Sequence, residues 1–125
     1  MEIITEQDAF FLVALSASEE SSLIELRWEF EKWDHNSIEV TTIIESLIKD
    51  GTILLSEREG ESFNDYSVND SLAIAVTWSK SESWNTILFL TEAGDQRWKS
   101  EDWGITTMRA KHLMFSNKGS VTHVQ

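Results

Sequence analysis

Cysteine is absent from the 125 residues. The chain can therefore form neither a disulfide framework nor a thiolate metal site, and its expected setting is a reducing cytoplasm. Proline is absent too, so helix ends must be read from glycines and capping residues. No apolar run approaches the ~20 residues that span a bilayer, and no membrane partner is expected. The first residues, Met-Glu-Ile-Ile-Thr-Glu, are acidic where a secretory signal would be basic. Catalytic signatures are missing as well. There is no Gly-x-Ser-x-Gly elbow and no glycine-rich phosphate loop, and His35, His112 and His123 lack ligand spacing. Glu57 and Glu59 stand two apart, which is no substitute for an acid and base set by their separation in space. The chain is read as non-enzymatic, with no catalytic, cofactor-binding or metal-binding residue.

Basic residues are scarce in the first two thirds. The formal net charge is −12; residues 1–79 hold 17 acidic and 4 basic residues, and residues 80–125 hold 5 and 6. The first part would repel a polyanion and attract a basic protein.

The length suits a single domain over 1–125 with its own core. Its centre is Ile38 to Ser56. There Val40, Ile43, Ile44, Leu47 and Ile48 recur at helical steps, Asp50-Gly51 stops the helix, and Thr52-Ile53-Leu54-Leu55 begins a strand. Before it, Thr5-Glu6-Gln7-Asp8 and Ser22-Leu23-Ile24-Glu25 look like capping boxes. They open one helix over about Thr5–Ala17 and a second whose Leu23, Leu26, Phe30 and Trp33 share a face. After the strand, Glu57 to Asp65 reads as a loop, Ser67 to Trp78 as a short capped helix, and Trp84 to Leu90 as a strand. Strands 52–57 and 86–91 are expected to pair, with the helix between them as an insertion. Gly104 to Gln125 fits either a hairpin around Ser116-Asn117-Lys118-Gly119 or a helix carrying Met108, Ala110, Leu113 and Met114; the turn residues favour the hairpin.

The second strand runs directly into Leu90-Thr91-Glu92-Ala93-Gly94, followed by Trp98 and Asp102-Trp103. This stretch resembles the end of the wing in small bacterial winged-helix proteins. The resemblance, over roughly residues 5–103, implies an α+β winged helix. Its three N-terminal helices and first wing strand would occupy about 1–58. An enlarged wing with an inserted short helix would occupy 59–98, and a C-terminal extension, read as a β-hairpin, 99–125.

That fold is associated with DNA binding, yet its central helix is poorly equipped for the task. A recognition helix needs Arg, Lys, Asn or Gln at base edges and basic neighbours on phosphates. Ser37 to Asp50 offers Glu39, Glu45 and Asp50 against Lys49 alone. The favoured expectation is an acidic protein-binding module with a basic protein partner and no nucleic acid. Its binding residues would be Glu25, Trp28, Glu29, Trp33, Asp34, Glu39 and Glu45. Small size, absent cysteine and strong negative charge are traits shared with immunity proteins that neutralise basic nuclease toxins. The alternative is a winged-helix transcriptional regulator, possible as a dimer, contacting DNA through Arg97, Lys99, Arg109 and Lys111. Six tryptophans serve mostly as packing anchors, with some left over for an interface or a tryptophan-lined ligand pocket.

Overall fold

The computed structural model describes residues 1–123, with side chains as far as Phe115. Its elements run α1 (Glu6–Ser18), α2 (Leu23–Glu31), α3 (Val40–Lys49), β1 (Ile53–Glu59), β2 (Ser62–Asp65), α4 (Val68–Ala75), a 3₁₀ turn (Trp78–Lys80), β3 (Thr86–Leu90), α5 (Glu92–Ser100) and α6 (Thr107–His123). The architecture is α+β: helices packed around a small antiparallel sheet in the order β2-β1-β3.

A helix that is apolar on every side belongs in the middle, and α1 is such a helix. Ala9, Ala17 and every residue from Phe11 to Ser16 are buried. Around it pack α2, α3, α5, α6 and β3. Both expected capping boxes form. Thr5 Oγ1 accepts from Asp8 N at 3.1 Å while Asp8 accepts from Thr5 N at 2.9 Å, and Ser22 and Glu25 exchange bonds of 3.2 and 2.9 Å in the same way. The stop after α3 is also as read. Gly51 takes φ +84 and Thr52 N donates back to Leu47 O at 2.9 Å, which closes the last turn.

Strands β1 and β3 pair from Ile53↔Leu90 to Glu57↔Thr86. The segment between them departs from expectation at its start. Glu57 to Asp65 is no open loop: β1 continues to Glu59, Gly60 turns the chain with φ +65, and Ser62 to Asp65 return as β2. Glycine at the first central position gives the positive φ a two-residue hairpin turn requires. On the far edge, Ser22 bridges Ile87 and Leu88 N donates to Ser21 O at 2.9 Å. The α1–α2 connection therefore serves as a one-residue fourth strand.

The Leu90-Thr91-Glu92-Ala93-Gly94 stretch is where sheet and helices are fastened. Thr91 N donates to Thr52 O at 3.1 Å. Its hydroxyl donates to Gly51 O and accepts from Gly94 N, capping α5. Gly94 then presses on the carbonyl of Thr52 so closely that a Cβ would stand 1.9 Å from that oxygen.

The C-terminal hairpin is replaced by α6. Thr106 caps it, its hydroxyl taking Arg109 N at 3.0 Å and its carbonyl Ala110 N at 2.9 Å. Leu113 is buried, Ala110 is half-buried, and Arg109 is held by groups of α1 and the N-terminus. The helical stripe that competed with the turn signal therefore prevails; Val124, the end of the expected last strand, lies outside the described residues.

Gly94→Ala is expected to lower stability by about 3 kcal/mol or more, since the clash is with backbone and α5 must lift off Thr52 to relieve it. Chemical denaturation of the variant against wild type measures this. A loss under about 1 kcal/mol would mean that the contact is less tight than described.

Candidate functional site

Three of the four cations proposed for DNA contact are paired with carboxylates. Arg109 is the most deeply engaged. Its Nε and Nη2 fork onto the two carboxylate oxygens of Asp8 at 3.2 and 2.8 Å, and its Nη1 reaches Glu2. Asp8 is 2 % exposed. Burial pushes its carboxyl upward, but the hydrogen bonds from Arg109 and from the Thr5 backbone outweigh this and hold it below the usual range. Glu2 is held low by hydrogen bonds from His112 and Arg109. Arg97 donates to Asp50 at 3.2 Å and lies 4.2 Å above the Trp103 ring. Lys99 meets Asp95 at 2.8 Å, one turn back on α5. Lys111 has no ion-pair partner among the described residues.

Helix α4 packs beside α3, and Trp78 donates its indole N–H to Thr41 at 3.0 Å, while Thr42, Ser46 and Lys49 leave the outer face of α3 exposed. Glu39 is exposed at the start of α3, Glu45 is half-buried, and Lys49 is accompanied by Asp50.

Helix α2 presents a different surface. Glu25, Trp28, Glu29 and Lys32 follow at helical spacing along one stripe. Trp28 is 48 % exposed, and Trp84 meets it edge-on from the loop before β3, itself 54 % exposed, with ring centroids 5.2 Å apart. Arg27 holds this loop in place by donating to Ser81 O at 3.0 Å and pairing with Glu82 at 3.6 Å. Trp84 was not singled out for binding in the sequence. The signal was an isolated tryptophan amid Ser79, Lys80, Ser81, Glu82, Ser83 and Asn85, where nothing nearby could bury it.

Trp33 is a correction. It is 4 % exposed, donates its N–H to Glu29 at 3.2 Å, and belongs to the core rather than to a binding surface. Asp34 is tied to the N-terminal segment by Ile4 N to Asp34 O at 3.1 Å and Asp34 N to Glu2 O at 2.8 Å. Glu25 and Trp28 thus remain outward, Glu29 is shared with Trp33 and Lys32, and Glu39 and Glu45 lie on a separate helix.

A second acidic surface lies where the β1–β2 hairpin leaves the sheet. Tyr66 donates to Glu57 at 3.0 Å. Its hydroxyl is pushed above the usual range, first by burial, then by that hydrogen bond and the charges of Glu57, Asp70 and Glu59. The negative field there is therefore felt by a neighbouring group. Trp84 is two residues from Thr86, whose hydroxyl also donates to Glu57 at 2.9 Å. Among the described residues no His, Asp and Glu cluster is placed to hold a metal ion, and no helix is long and apolar enough to cross a membrane.

Arg109→Met should lower stability at neutral pH by about 2–4 kcal/mol, because it strands the Asp8 carboxylate in the interior. Both Asp8 and Glu2 are depressed in the folded state. Their contribution is therefore present above the unfolded carboxyl range and lost as pH falls below about 4. The gap between variant and wild type should narrow over that interval, as denaturation across pH 2.5–7 would measure; a pH-independent gap would contradict the pairing.

Compared with protein-family models, curated proteins and solved structures, the chain finds no match in any of the three.

Proposed function

We propose that this chain is a winged-helix domain of a bacterial cytoplasmic protein whose ligand is a basic protein rather than nucleic acid. The partner docks on the Trp28–Trp84 pair and its flanking carboxylates. The layout supports the fold reading: α1, the Ser21–Ser22 edge contact, α2, α3, then β1 and β3 around an enlarged wing holding β2 and α4. One observation carries the functional reading. Two half-exposed indoles stand together on a chain of net charge −12, with Glu25 one turn before Trp28 on the same helix stripe. Tryptophan is the commonest anchor at interfaces, and surrounding charge sets approach rate and partner choice more than final affinity.

The mechanism has two stages. Long-range attraction brings a cationic surface to the acidic side, and burial of the indoles then holds it. A narrower version is an immunity-type inhibitor that blocks a basic toxin by covering its cationic active surface. No catalytic step is assigned. The DNA-regulator alternative is disfavoured by Arg97, Lys99 and Arg109, whose charges are taken up by Asp50, Asp95 and Asp8.

The test is affinity capture followed by stopped-flow association with the captured protein. A basic partner is expected, with an association rate falling at least about tenfold between about 50 and 500 mM salt. Trp28→Ala combined with Trp84→Ala should weaken binding at least about 30-fold, mainly through faster dissociation. A partner indifferent to salt and to both tryptophans would overturn the proposal.

A further inference from the structure

The sheet is open on one side. In the order β2-β1-β3, the outer edge of β3 is met by Ser21 and Ser22, whereas no strand lies beyond β2 among the described residues. All four residues of β2, Ser62 to Asp65, are exposed.

The pairing fixes which of its groups are unmet. Tyr66 N donates to Leu55 O at 2.9 Å, which makes Leu55 and Tyr66 a hydrogen-bonded pair. In an antiparallel ladder such pairs alternate with non-bonded ones. Along the register, Glu57↔Asn64 and Glu59↔Ser62 are then bonded, whereas Ser56↔Asp65 and Arg58↔Phe63 are not. Arg58 N agrees with this phase, since it donates the other way, to Asn85 O at 2.8 Å. The N–H and C=O of Phe63 and Asp65 therefore point off the edge. No hydrogen bond among the described residues meets them.

An open edge is commonly guarded by proline, a bulge, a covering loop or charge. This one has no proline, and its register runs unbroken from Ser56↔Asp65 to Glu59↔Ser62. Its guard is charge: residues 57–65 hold Glu57, Glu59, Glu61 and Asp65 against Arg58 alone. Such an edge repels a second copy of itself and attracts a cationic strand. Side-chain alternation sharpens the choice. Phe63, 44 % exposed, shares a face with Arg58, whose guanidinium stands 5.5 Å from its ring, and with Asp65, which accepts from Ser56. Ser62 and Asn64 share the other face with Glu57 and Glu59. One face thus offers an aromatic ring with its charges balanced, and the other offers carboxylates.

We infer that β2 accepts an extended basic segment of another protein as an added antiparallel strand. The residues of that segment alternate. Apolar ones exchange backbone hydrogen bonds with Phe63 and Asp65 and cover the ring, and lysines or arginines between them lie toward Glu57 and Glu59. The inference uses neither Trp28 nor Trp84 and stands whether or not that pair docks a protein.

The experiment is a ¹H–¹⁵N correlation titration of the full chain with acetyl-Lys-Val-Lys-Val-Lys-amide, following the backbone amides. The Phe63 and Asp65 signals are expected to move downfield saturably. Methylating the two valine nitrogens keeps every charge and removes the donors that face β2, so that peptide should bind at least about tenfold more weakly. Its counterpart with glutamate for lysine should not bind at millimolar concentration. Glu59→Gln, at an exposed position, should weaken the lysine peptide and flatten its salt dependence while leaving thermal stability unchanged. The Trp28→Ala, Trp84→Ala double variant should bind it as wild type does, which separates this edge from the docking pair. Unmoved Phe63 and Asp65 amides at millimolar peptide would overturn the inference. So would equal binding of the methylated peptide, which would show attraction by charge alone. Movement of the same two amides with protein concentration alone would show self-pairing and overturn it too.

Discussion

The forked pair between Arg109 and Asp8 is the interaction on which the rest of the structure leans. It joins α6 to the first turn of α1 across 101 residues of sequence. One carboxylate also completes the cap of the central helix. Helix start, helix packing and charge balance thus meet at one buried group. A bidentate guanidinium–carboxylate contact is directional, so it fixes how α6 lies along α1. That placement sets Ala110, Lys111 and Met114 against the aromatic wall of Phe11, Trp98 and Trp103 and so frames a cavity.

The same pairing shapes the electrostatics of the exterior. Cations in the C-terminal third are drawn inward or onto neighbouring acids: Arg109 to Asp8 and Glu2, Arg97 to Asp50 and the Trp103 face, Lys99 to Asp95. Much of the basic charge is spent holding the fold together, while outward acids such as Glu25, Glu39 and Glu59 have no cationic partner among the described residues. Under the proposed winged-helix reading, the third helix and the wing would be the elements expected to face phosphates. Here the exposed face of α3 offers Thr42, Ser46 and Lys49 with Glu39 at its start, and the hairpin carries Glu57, Glu59, Glu61 and Asp65. Among the exposed apolar side chains, Trp28 and Trp84 stand in ring contact with each other.

Local chemistry was legible in the sequence, and long-range pairing was not. The caps at Thr5, Ser22, Ser67 and Thr91 and the stop at Gly51 are made within a few residues, so residue type and spacing were enough to place them. The Leu-Thr-Glu-Ala-Gly stretch was noticed as a motif, but its cause lay in Thr52, on the other side of the sheet. The C-terminal segment was misread because Ser116-Asn117-Lys118-Gly119 is a strong turn signal, whereas the helix is secured by Arg109 reaching Asp8. Trp33 and Trp28 show the same limit within one stretch of chain. Both accompany α2, but only packing could tell that Trp33 turns inward to Glu29 while Trp28 turns outward to Trp84.

The proposal's central claim is that with Arg97, Lys99 and Arg109 each held by a carboxylate, the acidic exterior refuses a polyanion. Fluorescence anisotropy of labelled mixed-sequence duplex DNA, titrated with the protein at about 20 mM salt, tests it most directly, because electrostatic binding is strongest there. No change is expected up to about 50 μM protein, well beyond the range in which non-specific DNA binders saturate at such salt. Saturable binding near 1 μM that weakens steeply with added salt would show a free cationic surface and contradict the account.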